Sequence, residues 1–186
     1  AAEALCNLGA TYRVLGRLEE SVDRLNQALE IASFESSQKM RAHGLNYLGV
    51  SLYCLGEQEA AIPILDEAVG LYDALGSIHG KAHALNYLGV AETMAGRSST
   101  AVANLVNAKE LFERLGDRRG MADASRDLSS AILLTGDKQR AERLAGDAIR
   151  IYDEIGDALG KAECSVVLAQ SLGRRDSNGG VALLEE

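Results

Sequence analysis

One six-residue segment occurs twice in this chain, at a separation of forty residues. The sequence Leu-Asn-Tyr-Leu-Gly-Val fills positions 45–50 and again positions 85–90. The same period extends along the chain, because several columns of identical residues share it. Four such columns are Leu8, Leu48, Leu88, Leu128 and Leu168; Ala2, Ala42, Ala82, Ala122 and Ala162; Gly16, Gly56, Gly96 and Gly136; and Ala28, Ala68, Ala108 and Ala148. Repeats of roughly 20–50 residues are typical of stacked units, so we predict an array rather than a single globular core.

The composition indicates that each repeated unit is helical. Hydrophobic residues make up 47% of the 186 residues, whereas aromatic residues make up 4% and there is one proline. Small and medium apolar side chains with almost no proline are typical of packed helices. In the third unit, Ser77 can cap a helix over about 78–95 that ends at Gly96, and a second helix extends to Leu115. Each unit is therefore predicted to be a helical hairpin.

These hairpins divide the chain into four complete units and part of a fifth, within a single domain over 1–186. The units are 1–40, 41–80, 81–120, 121–160 and 161–186. We expect a fragment of a longer protein, because the chain begins inside a unit and lacks an initiator Met. We also expect a kink at Pro63, a loose turn over 33–37, a mobile loop over 173–180 and a frayed helix over 181–186.

Small residues at fixed positions predict a close approach of the two helices in each hairpin. Gly49 and Gly89 recur in the first helix of their units, and Ala68 and Ala108 recur in the second. Side chains of this size let helix backbones pack closely.

Charge and cysteine usage restrict the classes of partner. The chain has 19 Lys plus Arg against 27 Asp plus Glu, a net charge of -8. An acidic surface repels phosphate groups, so we expect no direct binding to nucleic acid or to an anionic membrane. Cys6, Cys54 and Cys164 occupy different registers, which favours reduced thiols over disulfides or a metal site and predicts a cytoplasmic protein.

The spacing of apolar and small residues resembles the tetratricopeptide repeat. In the third unit the resemblance rests on Leu85, Leu88-Gly89, Ala101, Leu105 and Ala108. It extends over all four complete units and the first helix of the fifth. The forty-residue period resembles a longer subtype found in kinesin light chains, animal polarity adaptors and the sensor regions of bacterial transcriptional regulators. The composition, rich in Ala, Arg, Gly and Asp, favours the bacterial regulators.

This resemblance implies an all-α fold, a right-handed superhelical solenoid whose first helices line a concave groove. It also implies a non-catalytic module without cofactors that binds a protein, a peptide or a neighbouring domain. The groove residues that it implies are Asn7, Arg13, His43, Asn46, Tyr47, Val50, Tyr53, His83, Asn86, Tyr87, Val90, Asp123, Arg126 and Asp127.

Tyrosines give the middle of the predicted groove an amphipathic character. Tyr47, Tyr53 and Tyr87 combine a large apolar ring with a polar tip, a combination common at binding hot spots. We therefore expect a peptide to lie across the second and third units. The alternatives are that Asn46 and Asn86 bond to neighbouring hairpins and that the tyrosines fill space between units.

Two other classes of function remain as alternatives. Terminal units without polar capping faces could support a homodimer. His79 and His83, four residues apart and joined by His43 in the column of His83, could hold a metal in an enzyme. Solvated histidines at a helix start are the simpler interpretation, so we predict no metal site.

Overall fold

The computed structural model describes residues 1–34 and 37–172, and every regular element in these ranges is an α-helix. Where the connections lie within these ranges, short turns join successive helices, as in helical hairpins. The predicted turn over 33–37 includes residues outside the described ranges, and the predictions for 173–180 and 181–186 lie entirely outside them. The helices are α1 (Ala2–Val14), α2 (Leu18–Phe34), α3 (Gln38–Cys54), α4 (Gln58–Ala74), α5 (Ile78–Met94), α6 (Ser98–Leu115), α7 (Arg118–Thr135), α8 (Lys138–Glu154) and α9 (Ala158–Leu172).

The predicted start and stop signals of the third unit are confirmed. The Ser77 hydroxyl accepts a hydrogen bond from the Gly80 backbone N–H at 3.3 Å, which satisfies an amide in the first turn of α5. The two helices of this hairpin are each followed by a left-handed glycine, Gly96 with φ +76° and Gly116 with φ +67°. Glycine adopts this conformation without the steric cost that a Cβ atom imposes, so these turns form from local sequence.

Helix contacts define an all-α solenoid, as predicted. Each odd-numbered helix packs against its neighbours in sequence and also against the next odd-numbered helix. Among the described helices, no even-numbered helix touches another even-numbered one. The odd-numbered helices therefore form the tighter, inner side of the stack and the even-numbered helices form the outer side.

Glycines allow the two helices of a hairpin to approach closely, which confirms that prediction. A Cβ atom on Gly89 would lie 2.5 Å from Leu105 Cγ, and one on Gly49 would overlap the equivalent Leu65 side chain. Both leucines are fully buried. The hairpin interior is thus built in the same way in the second and third units.

Pro63 does not interrupt its helix. It lies in the second turn of α4, which continues from Gln58 to Ala74. Proline cannot donate to the carbonyl of Glu59 four residues earlier, but Pro63 is exposed, so water can reach this side of the helix.

The two ends of the described solenoid expose apolar surface. Leu8 is 39% exposed, whereas Leu48 and Leu88 in the same column are 5% and 4% exposed. At the other end, a cleft of about 820 Å³ lies between α8 and α9, and Val166 on its wall is 45% exposed. In the described ranges, no helix combines the length and apolar character needed to cross a membrane.

Candidate functional site

A cavity of about 260 Å³ opens on the inner side of the solenoid, between α5 and α7. We call it the inner pocket. All but one of its nine lining residues belong to the groove predicted from the sequence. Tyr53 comes from α3; His83, Asn86, Tyr87 and Val90 come from α5; Phe112 comes from α6; and Asp123, Arg126 and Asp127 come from α7.

One wall of the inner pocket is a polar bridge between the third and fourth units. Asn86 Nδ2 donates to Asp127 Oδ2 at 2.8 Å, and Arg126 Nε donates to Asp127 Oδ1 at 3.0 Å. Both carboxylate oxygens of Asp127 are therefore paired, and its side chain is only 13% exposed. Asn86 thus bonds to the neighbouring hairpin, which was one of the two alternatives for this residue, and it also lines the pocket.

The bridge extends to the next two helices. Arg126 Nη1 donates to Glu163 Oε2 of α9 at 2.7 Å. The Tyr152 hydroxyl of α8 donates to Asp123 Oδ1 at 2.6 Å. One guanidinium thus lies among three carboxylates, which gives this wall an excess of acceptors and negative charge.

Burial and neighbouring charges shift the pKa values of the pocket residues. It raises the pKa of the Asp127 carboxyl, an effect that the Arg126 guanidinium and the Asn86 amide oppose only in part. Burial alone would lower the pKa of Arg126, but the charge of Asp127 raises it above its ordinary value. Burial, with a contribution from His79, lowers the pKa of His83. Burial also raises the pKa of Tyr53 and Tyr87, so both hydroxyls stay protonated at neutral pH.

The opposite wall is aromatic and apolar. The His83 ring packs edge-on against the Phe112 ring at a centroid distance of 4.9 Å and lies 6.2 Å from the Tyr87 ring. Phe112 reaches this position from the outer helix α6 because Gly120, at the start of α7, has no Cβ atom to overlap its ring. Val90 completes this wall.

The two copies of the repeated hexapeptide have different surroundings in the structure. Asn86, Tyr87 and Val90 line the inner pocket, whereas the equivalent residues of α3 do not. Val50, expected on the groove, is 2% exposed because neighbouring helices cover it. Tyr47 is half-buried and packs against the core, as Tyr53 and Tyr87 also do, which is consistent with the space-filling alternative. The pocket is thus centred one unit further along the chain than expected.

The remaining predicted groove residues lie away from the pocket lining. Asn7 is exposed on α1. Arg13 is half-buried, and its positive charge acts on the phenols of Tyr53 and Tyr87. The His43 ring lies 5.8 Å from the Tyr72 ring, and burial lowers its pKa.

Sequence reasoning missed two residues that the structure brings to this region, Phe112 and Asp117. Phe112 shares its column with Tyr72 and Tyr152, so a recurrent aromatic position was the available signal. Asp117 lies in the turn between α6 and α7, and its Oδ2 is 3.7 Å from His79 Nε2. No pattern in the sequence connects Asp117 with His79.

Comparison with known proteins finds a repeat family that the first part of the chain resembles. A family model described as tetratricopeptide repeat matches residues 1–74. This part of the chain is therefore similar to tetratricopeptide repeats. The helices beyond residue 74 continue the same forty-residue pattern of hairpins. No curated protein matches the sequence significantly.

Solved structures resemble most of the chain in fold. A Podosopora anserina protein, described as a kinesin light chain with nearly identical TPR-like repeats, is 18% identical, with 98% of this chain and 91% of that chain covered and a TM-score of 0.76. BtubC (BKLC) from P. vanneervenii is 21% identical, with coverage of 83% and 64% and a TM-score of 0.74. A STAND signal transduction ATPase with a tetratricopeptide repeat sensor, from Pyrococcus horikoshii, is 13% identical, with coverage of 91% and 26% and a TM-score of 0.77. At these identities the similarity concerns the fold.

Proposed function

We propose that this tetratricopeptide repeat chain is a non-catalytic module that binds a peptide or helix along its inner side. The observation that carries the proposal is the inner pocket, in which an aromatic wall faces a buried polar bridge. Such a pocket, formed by rigid helices, provides an anchor site without a large entropy cost of ordering. Buried aromatic anchors usually account for most of the binding energy at protein interfaces.

The chemistry of the pocket favours a basic anchor residue on the partner. Asp123 and Asp127 on its lining, with Glu163 beside them, supply negative charge that the single Arg126 guanidinium balances only in part. A Lys or Arg side chain offers a compensating positive charge and hydrogen-bond donors to Asp123, and an aliphatic stem to Tyr87 and Val90. An acidic C-terminus fits poorly, because Arg126 is already paired with Asp127 and Glu163.

A regulatory role within a larger protein would use the same surface. The anchor would then come from another domain, whose release or capture changes the state of the parent protein. The solenoid of the Pyrococcus horikoshii ATPase, described as a sensor, supports this possibility at the level of fold. We propose a cytoplasmic location from the cysteine usage, and a bacterial regulator as the parent protein from the composition.

An array of immobilised peptides tests the proposal. Each peptide carries Lys, Arg, Glu or Leu at one central position between apolar residues, and binding of the fluorescently labelled chain is measured. We expect the Lys and Arg peptides to bind best. Tyr87→Ala should weaken this binding by about tenfold or more, the effect of losing an aromatic hot spot. Asp123→Asn should reduce the preference for Lys and Arg over Leu.

Tyr47→Ala is the matched control. Tyr47 occupies the column of Tyr87 one unit earlier and is also half-buried, but it does not line the inner pocket. We expect it to leave peptide binding nearly unchanged. Equal loss of binding in the Tyr47 and Tyr87 variants, both confirmed to be helical by circular dichroism, would reject the inner pocket as the anchor site.

Self-association through the terminal units is a second candidate function. The exposure of Leu8 and of Val166 in the α8–α9 cleft favours it, since apolar surface at the ends of a repeat array can pair with another copy. Light scattering over a range of concentrations is the test. A dimer that Leu8→Asp or Val166→Asp converts to a monomer would support this function, and a parent chain that stays monomeric at high concentration would reject it.

A further inference from the structure

Two histidines and an aspartate converge at the junction of the third and fourth units. His79 and His83 lie four residues apart on α5, and Asp117 immediately precedes α7. One potential ligand atom from each residue lies within 4.8 Å of the other two. We propose that His79, His83 and Asp117 form a binding site for a divalent transition-metal ion such as Zn²⁺.

The donor set matches the preferences of this class of ion. Imidazole nitrogens and a carboxylate oxygen bind Zn²⁺ at about 2.0–2.2 Å. Tetrahedral coordination at such distances places the ligand atoms roughly 3.4 Å apart, close to the 3.7 Å between His79 Nε2 and Asp117 Oδ2. Because His79 is exposed, small side-chain rotations can bring the three groups onto one ion. Imidazole ligands select against Mg²⁺ and Ca²⁺, which prefer all-oxygen sites.

Asp117 is held in position for this role. Its Oδ1 accepts a hydrogen bond from the Gly120 backbone N–H at 2.9 Å, which caps α7. Its Oδ2 therefore points towards His79. A hydrogen bond that orients a ligand in this way is a regular feature of protein metal sites and strengthens binding.

The next junction shows what the same positions do without histidine. Forty residues after His79 and Asp117 come Arg119 and Asp157, which form an ion pair at 2.8 Å. Asp157 also caps its helix through the Gly160 N–H, as Asp117 does through Gly120. Where the junction of the third and fourth units has the His79 imidazole, the next thus has the Arg119 guanidinium, and imidazole can bind a metal whereas guanidinium cannot.

An ion bound here would connect α5 to the start of α7. His83 also lines the inner pocket, so coordination would fix one side chain of its aromatic wall. Three protein ligands leave a fourth position for water or for a ligand from a partner. Metal binding would accordingly reinforce the junction beside the pocket.

Calorimetric titration of the complete chain with ZnCl₂ tests the proposal. We expect one ion per chain and a higher melting temperature when zinc is present. Asp117→Asn keeps an oxygen that can cap α7 but removes the anionic ligand. His79→Arg reproduces the Arg119–Asp157 arrangement. Each substitution should weaken zinc binding by at least tenfold, the lower end of the effect of losing an orienting partner alone.

His43→Ala is the control, because His43 occupies the column of His83 one unit earlier, where Lys39 stands in place of a second histidine. It should leave zinc binding unchanged. Absence of saturable zinc binding would overturn the proposal, and so would binding that His79→Arg and Asp117→Asn both leave within about threefold of the parent. Circular dichroism and melting without zinc verify that each variant folds.

Discussion

The two copies of the hexapeptide Leu-Asn-Tyr-Leu-Gly-Val lie in equivalent helices, α3 and α5, yet they meet different neighbours. Within their own hairpins they are alike, since Gly49 packs on Leu65 as Gly89 packs on Leu105. Their side-chain contacts with the next hairpin differ. Asn86 donates to the buried carboxylate of Asp127, whereas the side-chain oxygen of Asn46 is buried with no hydrogen-bond partner among the described residues.

The difference arises from the following unit. The column that contains Asp127 in the fourth unit contains Tyr87 in the third. The helix stacked on Asn86 therefore supplies a carboxylate, whereas the helix stacked on α3 has a tyrosine at the equivalent position. Identical sequence produces the same hairpin, but the chemistry of a junction depends on both of its sides. The inner pocket lies at the junction where the second helix, α7, supplies charged side chains.

Removal of Arg126 should cause the largest loss of stability at the junction of the third and fourth units. Arg126→Met leaves the buried Asp127 carboxylate without its cation, and breaking a buried ion pair in this way costs about 3–5 kcal/mol. We expect this loss in the free energy of unfolding, measured by urea denaturation at pH 7. In the described ranges no ion pair joins α3 to α5, whereas Arg126 and Asp127 form one at the junction of α5 and α7, so the effect is specific to this junction.

The pH dependence of the same variant provides a check. The pKa of Asp127 is already above its ordinary value in the folded chain, and loss of Arg126 removes a positive charge that lowers it. An acid with a higher pKa in the folded than in the unfolded state binds a proton more readily when folded. The stability lost at pH 7 should therefore return as the pH falls through the folded-state pKa. A loss that stays constant as the pH falls from 7 towards the ordinary pKa of an aspartate, or that Asp127→Asn does not relieve, would contradict the explanation.

Replacement of each asparagine compares the two junctions directly. Asn86→Ala removes a donor from a buried carboxylate and should cost about 1.5–3 kcal/mol, the range for hydrogen bonds to charged groups. Asn46→Ala removes an oxygen that has no partner and should cost less than about 1 kcal/mol. Urea midpoints of the two variants provide the comparison. Equal losses would show that the two junctions are energetically equivalent despite their different neighbours.

Substitutions inside the two hairpins, by contrast, should lower the stability by similar amounts. A Cβ atom at Gly49 or Gly89 overlaps a buried leucine, and this overpacking costs roughly 1–3 kcal/mol, partly offset by the higher helix propensity of alanine. We expect Gly49→Ala and Gly89→Ala each to lower the melting temperature by a similar amount. Losses that differ severalfold would show that the junction also determines how tightly a hairpin packs.

Gly70→Ala should have the smallest effect and the opposite sign. Gly70 lies in the interior of α4, and no described atom outside its local helix lies within 4 Å of a Cβ atom built there. Alanine should therefore stabilise the chain by about 0.5–1 kcal/mol through helix propensity alone. Thermal melting measures this gain and isolates the propensity effect from the overlap at Gly49 and Gly89. A decrease in stability would mean that glycine at this position has another role.

Most of the fold was predictable because it depends on residues that are close in sequence. The caps and turns, such as Ser77 and Gly96, act within a few residues of their own position. Part of the site was predictable too, since the repeat resemblance places Tyr87 and Asp127 on the inner side. Phe112 was missed because it reaches the pocket from an outer helix, across the space left by Gly120.

The sequence by itself determined the forty-residue period, the helical hairpins and the positions of the glycine turns, because backbone preferences and apolar spacing act locally. Only the tertiary structure decided which side chains meet across units. Asn86 and Asp127 are 41 positions apart, and His79 and Asp117 are 38 apart, yet the stacking of α5 and α7 brings each pair together. These contacts follow from the packing of whole hairpins, which fixes distances that a one-dimensional pattern does not contain.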